Sequence, residues 1–233
     1  MTDTPEPAPT PDVRPTDGAV RPRVFALVPV GTLEGAKSRL GGALDAEERH
    51  DLAVRLLRRT LAVTTRLPAI VETIVVTPDD EVRTIAAEER ARPIRQQSQG
   101  LNRGLAEARD EAVAAGADAV LVLPMDLPFV SADALEAVLA PLLERAAVAA
   151  TRTPLVVLVP DRHGRGTNAL LVAPPGAIEF GFGGDSRAGH AQCAAEAGAA
   201  YVELTDGPLS VDLDTPEDLL VVQELSPEAA HAQ

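Results

Sequence analysis

The chain has 233 residues, a formal net charge of −14 and one cysteine, Cys193, which excludes a disulfide framework or a cysteine-based zinc site within one chain. Aromatic residues make up 2% of the sequence, so the core must consist of aliphatic side chains, as in buried parallel strands. An acidic surface repels a phosphate backbone, so we expect no nucleic-acid partner. The apolar runs are too short to span a bilayer and the N-terminus lacks a secretory pattern, so we expect a cytoplasmic protein without membrane contact.

The sequence divides into three segments. Residues 1–21 hold five prolines and almost no large apolar residues, which predicts a disordered tail. Residues 22–225 have the length and hydrophobicity of one α/β domain. Residues 226–233 resemble a frayed end, so we expect little order there.

Apolar runs alternate with amphipathic stretches along the domain. We predict strands over residues 24–30, 70–77, 119–124, 155–159, 169–172 and near 200–204, and helices over 45–66, 79–91, 102–115, 131–146, 186–197 and after Pro216. This alternation predicts a Rossmann-like α/β fold, with a mostly parallel sheet and helices on both faces. In such sheets ligands lie beyond the carboxyl ends of the strands, so the loops there are the candidate sites.

The loop after the first strand, residues 29–40, reads PVGTLEGAKSRL. Gly31 and Gly35 let the backbone approach a ligand, while Lys37 and Arg39 bring positive charge, so the loop suits an anion. The spacing does not match the Walker pattern, which excludes a P-loop ATPase. Taken alone, the loop also fits an ordinary strand-to-helix turn with solvated charges.

Two acidic segments follow later strands. In LVLPMDLP, residues 121–128, a hydrophobic strand delivers Asp126 to the sheet edge, where a carboxylate oxygen suits Mg²⁺. In SVDLDTPEDL, residues 210–219, Asp212 and Asp214 alternate along an extended segment and so point to opposite sides. Asp214 is also a candidate helix N-cap, so the sequence leaves open which of the two meets a metal.

Two glycine-containing loops suit a small anion. Residues 161–168 read DRHGRGTN, where backbone donors, the Thr167 hydroxyl and the charges of Arg162 and Arg165 would form a cradle. Residues 180–190 read FGFGGDSRAGH and end at a helix start, where we expect Ser186 at the N-cap with its hydroxyl available to a phosphate or carboxylate. The alternative for each loop is a flexible surface turn.

A further loop, residues 97–102, reads QSQGLN and opens a helix. Its side-chain amides offer paired donors and acceptors, as recognition of a purine edge requires. The alternative is an N-capping turn made by Asn102.

In these segments the sequence resembles the guanylyltransferases of coenzyme F-420 biosynthesis, which activate 2-phospho-L-lactate in archaea and phosphoenolpyruvate in many bacteria. The resemblance runs from about Val24 to Leu220 and rests on the combination of PVGTLEGAKSRL, QSQGLN, LPMDLP, GRGTNALL, GGDSRAGH and VDLDTPEDL. It implies a GT-A-like, nucleotide-diphospho-sugar transferase fold. It also implies Mg²⁺-dependent transfer of GMP from GTP to a small phosphorylated acid, with release of pyrophosphate.

The resemblance further implies residue roles. The nucleotide would contact Pro29, Gly31, Lys37, Arg39, Gly100, Leu101 and Asn102; the acid would contact Thr167, Asn168, Gly184 and Ser186; Mg²⁺ would be held by Asp126, Asp212 and Asp214; and Lys37, Arg39 and Asp126 would be catalytic. One position departs from the family pattern, because the lysine often found two positions after Pro29 is Gly31 here.

Two other activities fit part of the pattern. A molybdenum cofactor guanylyl- or cytidylyltransferase would share the fold, but Gly-Thr-Leu-Glu-Gly in the first loop disfavours it. A non-catalytic nucleotide-binding domain would not require carboxylates at both metal positions. Phosphoenolpyruvate is the preferred acceptor because the amino-acid composition is typical of a bacterial protein. The alternatives are 2-phospho-L-lactate and 3-phospho-D-glycerate. The sequence leaves the oligomeric state open, and a homodimer is one alternative.

Overall fold

The computed structural model describes residues 21–147, 153–205 and 207–225. The disordered tail predicted for residues 1–21 lies, except for Arg21, outside the described residues, as does the frayed end predicted for 226–233. Within the described ranges, no helix combines the length and the apolar character that a bilayer crossing requires.

A seven-stranded mixed sheet forms the centre of the molecule. Its strands are β1 (Val24–Pro29), β2 (Ile70–Thr77), β3 (Arg92–Arg95), β4 (Ala119–Val122), β5 (Leu155–Pro160), β6 (Thr167–Ala173) and β7 (Ala200–Glu203). The spatial order is β3-β2-β1-β4-β6-β5-β7. Neighbouring strands are parallel except that β6 runs antiparallel to both β4 and β5, which confirms the predicted mostly parallel α/β sheet.

Helices cover both faces of this sheet. They are α1 (Ala46–Thr64), α2 (Asp80–Glu88), α3 (Leu101–Ala114), α4 (Ala132–Ala147), α5 (Ser186–Glu196) and α6 (Pro216–Leu225). Along β1, Phe25 and Leu27 share a buried cluster with α3 and α5, whereas Val24 and Ala26 pack with α4. Because strand side chains alternate between faces, one all-apolar strand supplies both layers of the core.

The helix starts at α1, α4 and α6 agree with the sequence. Asp45 closes a capping box on α1, accepting a hydrogen bond from the Glu48 N–H at 2.9 Å and donating its own N–H to the Glu48 carboxylate at 2.8 Å. The Ser131 hydroxyl accepts from the Ala134 N–H at 3.3 Å, and Pro216 is the first residue of α6.

Two local predictions are wrong. The predicted strands omit residues 92–95, which form the outer strand β3, where Arg92, Pro93 and Ile94 are only partly buried. The N-cap of α3 is Gly100, at φ 97°, rather than Asn102, because that backbone conformation strongly favours glycine.

The sheet topology brings the candidate loops together at one end of the strands, which we call the carboxyl edge of the sheet. The carboxyl ends of β1, β4 and β5 lie there, and the reversed direction of β6 places its first residues, Thr167 and Asn168, at the same edge. The first loop, the acidic segments and the acceptor loops therefore face one region.

Candidate active site

Lys37 connects the first loop to both acidic segments. Its Nζ lies 2.8 Å from Asp214 Oδ1 and 3.1 Å from Asp126 Oδ2, and its side chain is 5% exposed. Burial alone would lower the pKa of Lys37, but the two carboxylates outweigh that effect and raise the pKa above its usual value. The ammonium group is therefore charged in the neutral pH range, and it marks a place where carboxylates converge on one cation.

Buried leucines and one hydrogen bond fix the path of the first loop. Leu33 and Leu40 are buried, and the Leu33 N–H donates to the Asp79 carboxylate at 2.9 Å. Lys37 itself adopts the left-handed conformation, φ 55° and ψ 33°, immediately before a short 3-10 helix. This conformation costs a non-glycine residue about 1–2 kcal/mol, so the surrounding contacts hold Lys37 in place.

The other residues of this loop border the ammonium group. Pro29 ends β1 and is partly buried, whereas Gly31 is exposed. The Arg39 side chain is 74% exposed, and its guanidinium lies 3.9 Å from Asp214 at the limit of an ion pair. A charge held so loosely is free to reorient towards an incoming anion.

Asp212 lies close to the same pair of carboxylates. Its Oδ1 accepts a hydrogen bond from Asn168 Nδ2 at 3.3 Å. Burial raises the pKa of Asp212, the Asn168 hydrogen bond opposes this rise, and the negative charges of Asp126 and Asp214 add to it. Asp212 contacts Asn168 and Asp214 contacts Lys37, so the two carboxylates have different partners, while Asp214 and Asp126 both influence the pKa of Asp212.

Asp218 holds the acidic segment in shape. One of its carboxylate oxygens accepts the N–H groups of Asp214 at 2.9 Å and Thr215 at 2.7 Å, and the other pairs with Arg162. Thr215 caps α6, its hydroxyl accepting from the Asp218 N–H at 3.3 Å. The alternative that Asp214 caps this helix is therefore wrong, and its carboxylate is left to face Lys37.

The expected cradle of arginines is already neutralised by partners. Arg162 is paired with buried Asp218, and Arg165 lies 2.8 Å from Asp185. Neither guanidinium is the uncompensated charge that the sequence suggested for this loop.

Two buried hydroxyls lie at the start of β6 and of α5. Ser186 Oγ and Thr167 Oγ1 are 3.1 Å apart, and both residues are less than 8% exposed. The N-cap of α5 is Asp185 rather than Ser186, because Ser186 is already the first helical residue and its hydroxyl faces Thr167. Gly184 is exposed beside this pair, at φ 33°.

Asn168 is buried with both amide hydrogens in use. Its Nδ2 donates to the Leu209 carbonyl at 3.0 Å and to Asp212 at 3.3 Å. Asn168 therefore orients the Asp212 carboxylate, and its direct contact with an acceptor acid stays a prediction.

The loop before α3 is held open by its neighbours. The Glu107 carboxylate accepts the N–H groups of Gln97 at 2.9 Å and Ser98 at 2.7 Å. The Asn102 amide makes a double hydrogen bond with the backbone of Phe182, at 2.8 and 3.0 Å, which ties this loop to the glycine-rich loop before α5. Gly100 and Leu101 are exposed, so their predicted contact with guanosine is sterically open.

Sequence reasoning missed several supporting residues. Asp79, Glu107, Asp218 and His190 each hold a loop of the site through hydrogen bonds. Asp218 has a local signal, since Thr215-x-x-Asp218 resembles a capping box. The cited bonds of the other three reach residues 9 to 46 positions away, and the helix and strand patterns do not report such contacts.

The acidic cluster suits a divalent cation that also binds phosphate. Among the residues that the structure describes, no three His, Cys, Asp or Glu side chains are arranged to hold a metal ion by themselves. Yet Asp126 and Asp214 share one ammonium group, with the Asp212 carboxylate close by, so the acidic groups outnumber the buried cation. Mg²⁺ commonly takes one or two protein carboxylates and completes its shell with water and phosphate oxygens, so the donor set fits.

Comparison with known proteins identifies the family. The family described as "Guanylyl transferase CofC like" matches residues 24–225. This chain belongs to the CofC-like guanylyl transferase family. A phosphoenolpyruvate guanylyltransferase from Sphaerobacter thermophilus is 41% identical over 195 residues, covering 84% of this chain and 90% of that protein. One from Rubrobacter xylanophilus is 43% identical over 197 residues, covering 84% and 91%.

Solved structures show the same fold at low sequence identity. A candidate nucleotide-diphospho-sugar transferase from Desulfovibrio desulfuricans G20 superposes with a TM-score of 0.70 at 18% identity, covering 89% of each chain. A nucleotidyl transferase from Methanothermobacter thermautotroptrophicus gives a TM-score of 0.59 at 17% identity, covering 89% of this chain and 99% of that one. The predicted nucleotide-diphospho-sugar transferase fold is confirmed.

Proposed function

We propose that this CofC-like protein transfers GMP from GTP to phosphoenolpyruvate and releases pyrophosphate, as a step of coenzyme F-420 biosynthesis. The observation that carries the proposal is the Lys37 ammonium lying between Asp126 and Asp214 at the sheet edge. The names of the relatives support the choice of acceptor, because several are phosphoenolpyruvate guanylyltransferases.

The nucleotide would lie along the loops after β1 and before α3. Lys37 and Arg39 would meet its phosphates, with Pro29 and Gly31 forming the backbone wall beside them. Gly100, Leu101 and Asn102 would border the guanosine. Exposed Gly100 and Leu101 leave room for this contact, and Asn102 would act chiefly by fixing the Phe182 backbone.

The acceptor acid would lie beside Thr167, Gly184 and Ser186. Its phosphate oxygen attacks the α-phosphorus of GTP, a new P–O bond forms, and the bond to the departing pyrophosphate breaks. That phosphate is already an anion at pH 7, since its second pKa is about 6, so no general base is needed. The role of this chain is to align two polyanions and offset their repulsion.

Asp126 and one of Asp212 and Asp214 would hold Mg²⁺ in the proposed enzyme. When bound, the ion would offset the charge of the triphosphate and of the leaving pyrophosphate. Lys37 offsets the negative charge of Asp126 and Asp214, and its ammonium group would turn towards the phosphates when GTP binds. Asn168 holds the Asp212 carboxylate and Asp218 holds the Asp214 backbone, so both would keep their places when Lys37 turns towards the phosphates.

The test is pyrophosphate release by the purified full chain. GTP and MgCl₂ are combined with phosphoenolpyruvate, 2-phospho-L-lactate or 3-phospho-D-glycerate, and the adduct is identified by mass. We expect turnover with phosphoenolpyruvate that requires both GTP and the metal and stops with EDTA. Turnover with CTP instead of GTP would favour the molybdenum cofactor class, and GTP binding without pyrophosphate release from any acid would overturn the proposal.

A further inference from the structure

A chain of hydrogen bonds runs behind the two buried hydroxyls. The Gly181 N–H lies 3.0 Å from His190 Nε2, and His190 Nδ1 lies 3.1 Å from Thr167 Oγ1. Thr167 Oγ1 in turn lies 3.1 Å from Ser186 Oγ. His190 is 1% exposed, and none of the proposed steps uses it.

The first bond of this chain fixes the imidazole tautomer. A backbone N–H can only donate, so His190 Nε2 must be the unprotonated nitrogen that accepts from Gly181. A neutral imidazole then carries its hydrogen on Nδ1, which must donate to Thr167 Oγ1. Burial lowers the pKa of His190 to about 4, so the ring is neutral throughout the neutral pH range.

This tautomer determines what the hydroxyl pair can offer to a ligand. Thr167 and Ser186 have two hydroxyl hydrogens, and the bond between the two oxygens uses one of them. If Nδ1 were an acceptor, it would take the second hydrogen and leave none. Because Nδ1 donates instead, one hydroxyl hydrogen of the pair has no partner among the residues that the structure describes and is available to an anion.

We propose that His190 is a positioning residue that makes the Thr167–Ser186 hydroxyl pair a hydrogen-bond donor to an anionic oxygen of the acceptor acid. The inference rests on the proposed function for the identity of that acid. His190 Nδ1 donates its hydrogen to Thr167, which leaves one hydroxyl hydrogen of the Thr167–Ser186 pair to donate to the acid.

The packing around His190 supports a fixed orientation. The Phe182 ring meets the imidazole edge-on at a centroid distance of 4.9 Å. Within the described ranges, the ring makes polar contacts with Thr167 and the Gly181 N–H, which carry no charge. A ring held by an aromatic edge and a backbone N–H cannot flip without losing the Gly181 bond, so the donor direction is stable.

Two substitutions of His190 separate the two ring nitrogens. The amide of His190→Asn can reach the position of Nδ1 and keep a donor to Thr167, whereas the amide of His190→Gln reaches the position of Nε2 and keeps an acceptor for Gly181. We expect His190→Asn to keep the KM for phosphoenolpyruvate within about threefold, and His190→Gln to raise it about tenfold. The KM for GTP should stay within about twofold in both, because the nucleotide would not meet these hydroxyls in the proposed enzyme.

A double-variant cycle tests whether the effect passes through the hydroxyl. Thr167→Val removes that hydroxyl at similar volume, so adding His190→Gln to it should leave the KM for phosphoenolpyruvate unchanged, whereas Thr167→Ser should preserve the His190 effect. Equal rises of this KM in the Asn and Gln variants, or a further rise in the Thr167→Val background, would overturn the inference.

A measurement without turnover keeps this inference distinct from the proposed function. The ¹⁵N chemical shifts of the His190 imidazole report its tautomer directly in the unsubstituted protein. We expect the hydrogen on Nδ1 from pH 6 to 8, and a hydrogen on Nε2 would overturn the inference even in an active enzyme. If the protein does not turn over phosphoenolpyruvate, the proposed function fails while this tautomer result still stands.

Discussion

The backbone N–H of Leu213 donates a hydrogen bond to the backbone carbonyl of Asp126 at 3.0 Å. These residues lie in the two acidic segments, so a main-chain bond sets the distance between Asp126 and its partners Asp212 and Asp214. The spacing of the two main-chain segments at this point thus does not rest on a side-chain contact. Substitutions in this cluster should change charge while leaving the backbone in place.

Asp126→Asn tests the charge of the cluster with almost no change of shape. We expect turnover to fall by at least about a hundredfold, because a group that offsets charge in the transition state has been removed. The melting temperature should stay close to that of the parent. Asp110→Asn, at a side chain 78% exposed on α3, is the matched control and should retain parental rates. Asp126→Asn activity within about tenfold of the parent would contradict the proposed role.

Lys37→Met should make stability depend on a divalent cation. Without the ammonium, Asp126 and Asp214 repel each other, and we expect a loss of about 2 kcal/mol in EDTA, discounted for their partial exposure. MgCl₂ should restore most of it, as measured by urea unfolding. Arg58→Met removes a cation that also pairs with two carboxylates, but on the surface, and should respond little to Mg²⁺. Equal responses to Mg²⁺ in both variants would disprove the expectation.

Gly31→Lys should restore the positive contact that the family often carries. A Cβ at Gly31 meets no atom within 4 Å, so the substitution is sterically free. We expect the KM for GTP to fall about threefold, since an exposed charge contributes modestly. Gly176→Lys is the control, because Gly176 is equally open but follows the other end of β6, at the opposite edge of the sheet. The same change of KM in both variants would show a general charge effect instead.

Asn102→Ala should loosen the glycine-rich loop before α5. The Asn102 amide makes both of its hydrogen bonds to the Phe182 backbone, so their loss frees the segment that precedes Gly184 and Ser186. We expect the KM for phosphoenolpyruvate to rise about threefold or more, together with faster amide exchange at Phe182. A rise in the KM for GTP alone, with unchanged exchange, would instead assign Asn102 to base recognition.

Acid should destabilise the protein through His190. The pKa of His190 is lowered from 6.5 to about 4 by burial, so between these values the unfolded chain binds a proton that the folded chain does not. Stability is therefore lost as the pH falls from about 6.5 to 4, amounting to about 2 kcal/mol between pH 7.5 and 5. Urea unfolding at these two pH values should show this loss in the parent and not in His190→Asn. An equal loss in both would place its origin elsewhere.

Most of the fold was predictable because its strands are short apolar runs that alternate with amphipathic helices. The strand predicted over residues 70–77 is β2, and Asp45, Ser131 and Pro216 mark helix starts as expected. β3 was missed since two arginines and a proline occupy four residues at a partly buried edge. Such a strand owes its existence to pairing with β2, which no local pattern reports.

The candidate site was predictable in its segments and less so in its contacts. The convergence of Lys37 with Asp126 and Asp214 follows from where strands end in a parallel sheet. The pairing of Arg162 with Asp218 and the engagement of Asn102 by Phe182 depend on tertiary packing between distant segments. The sequence therefore could not show that the Arg162 guanidinium and the Asn102 amide already have partners within the fold.

The reversed direction of β6 has a consequence for how the two substrates are received. Thr167 belongs to a strand whose seven residues are all buried between two neighbours, whereas Gly31, Thr32 and Glu34 stand in an exposed turn. Because β6 is held between β4 and β5, the acid in the proposed enzyme would meet hydroxyls on a rigid strand, whereas the nucleotide would meet the exposed backbone of Gly31 and Thr32.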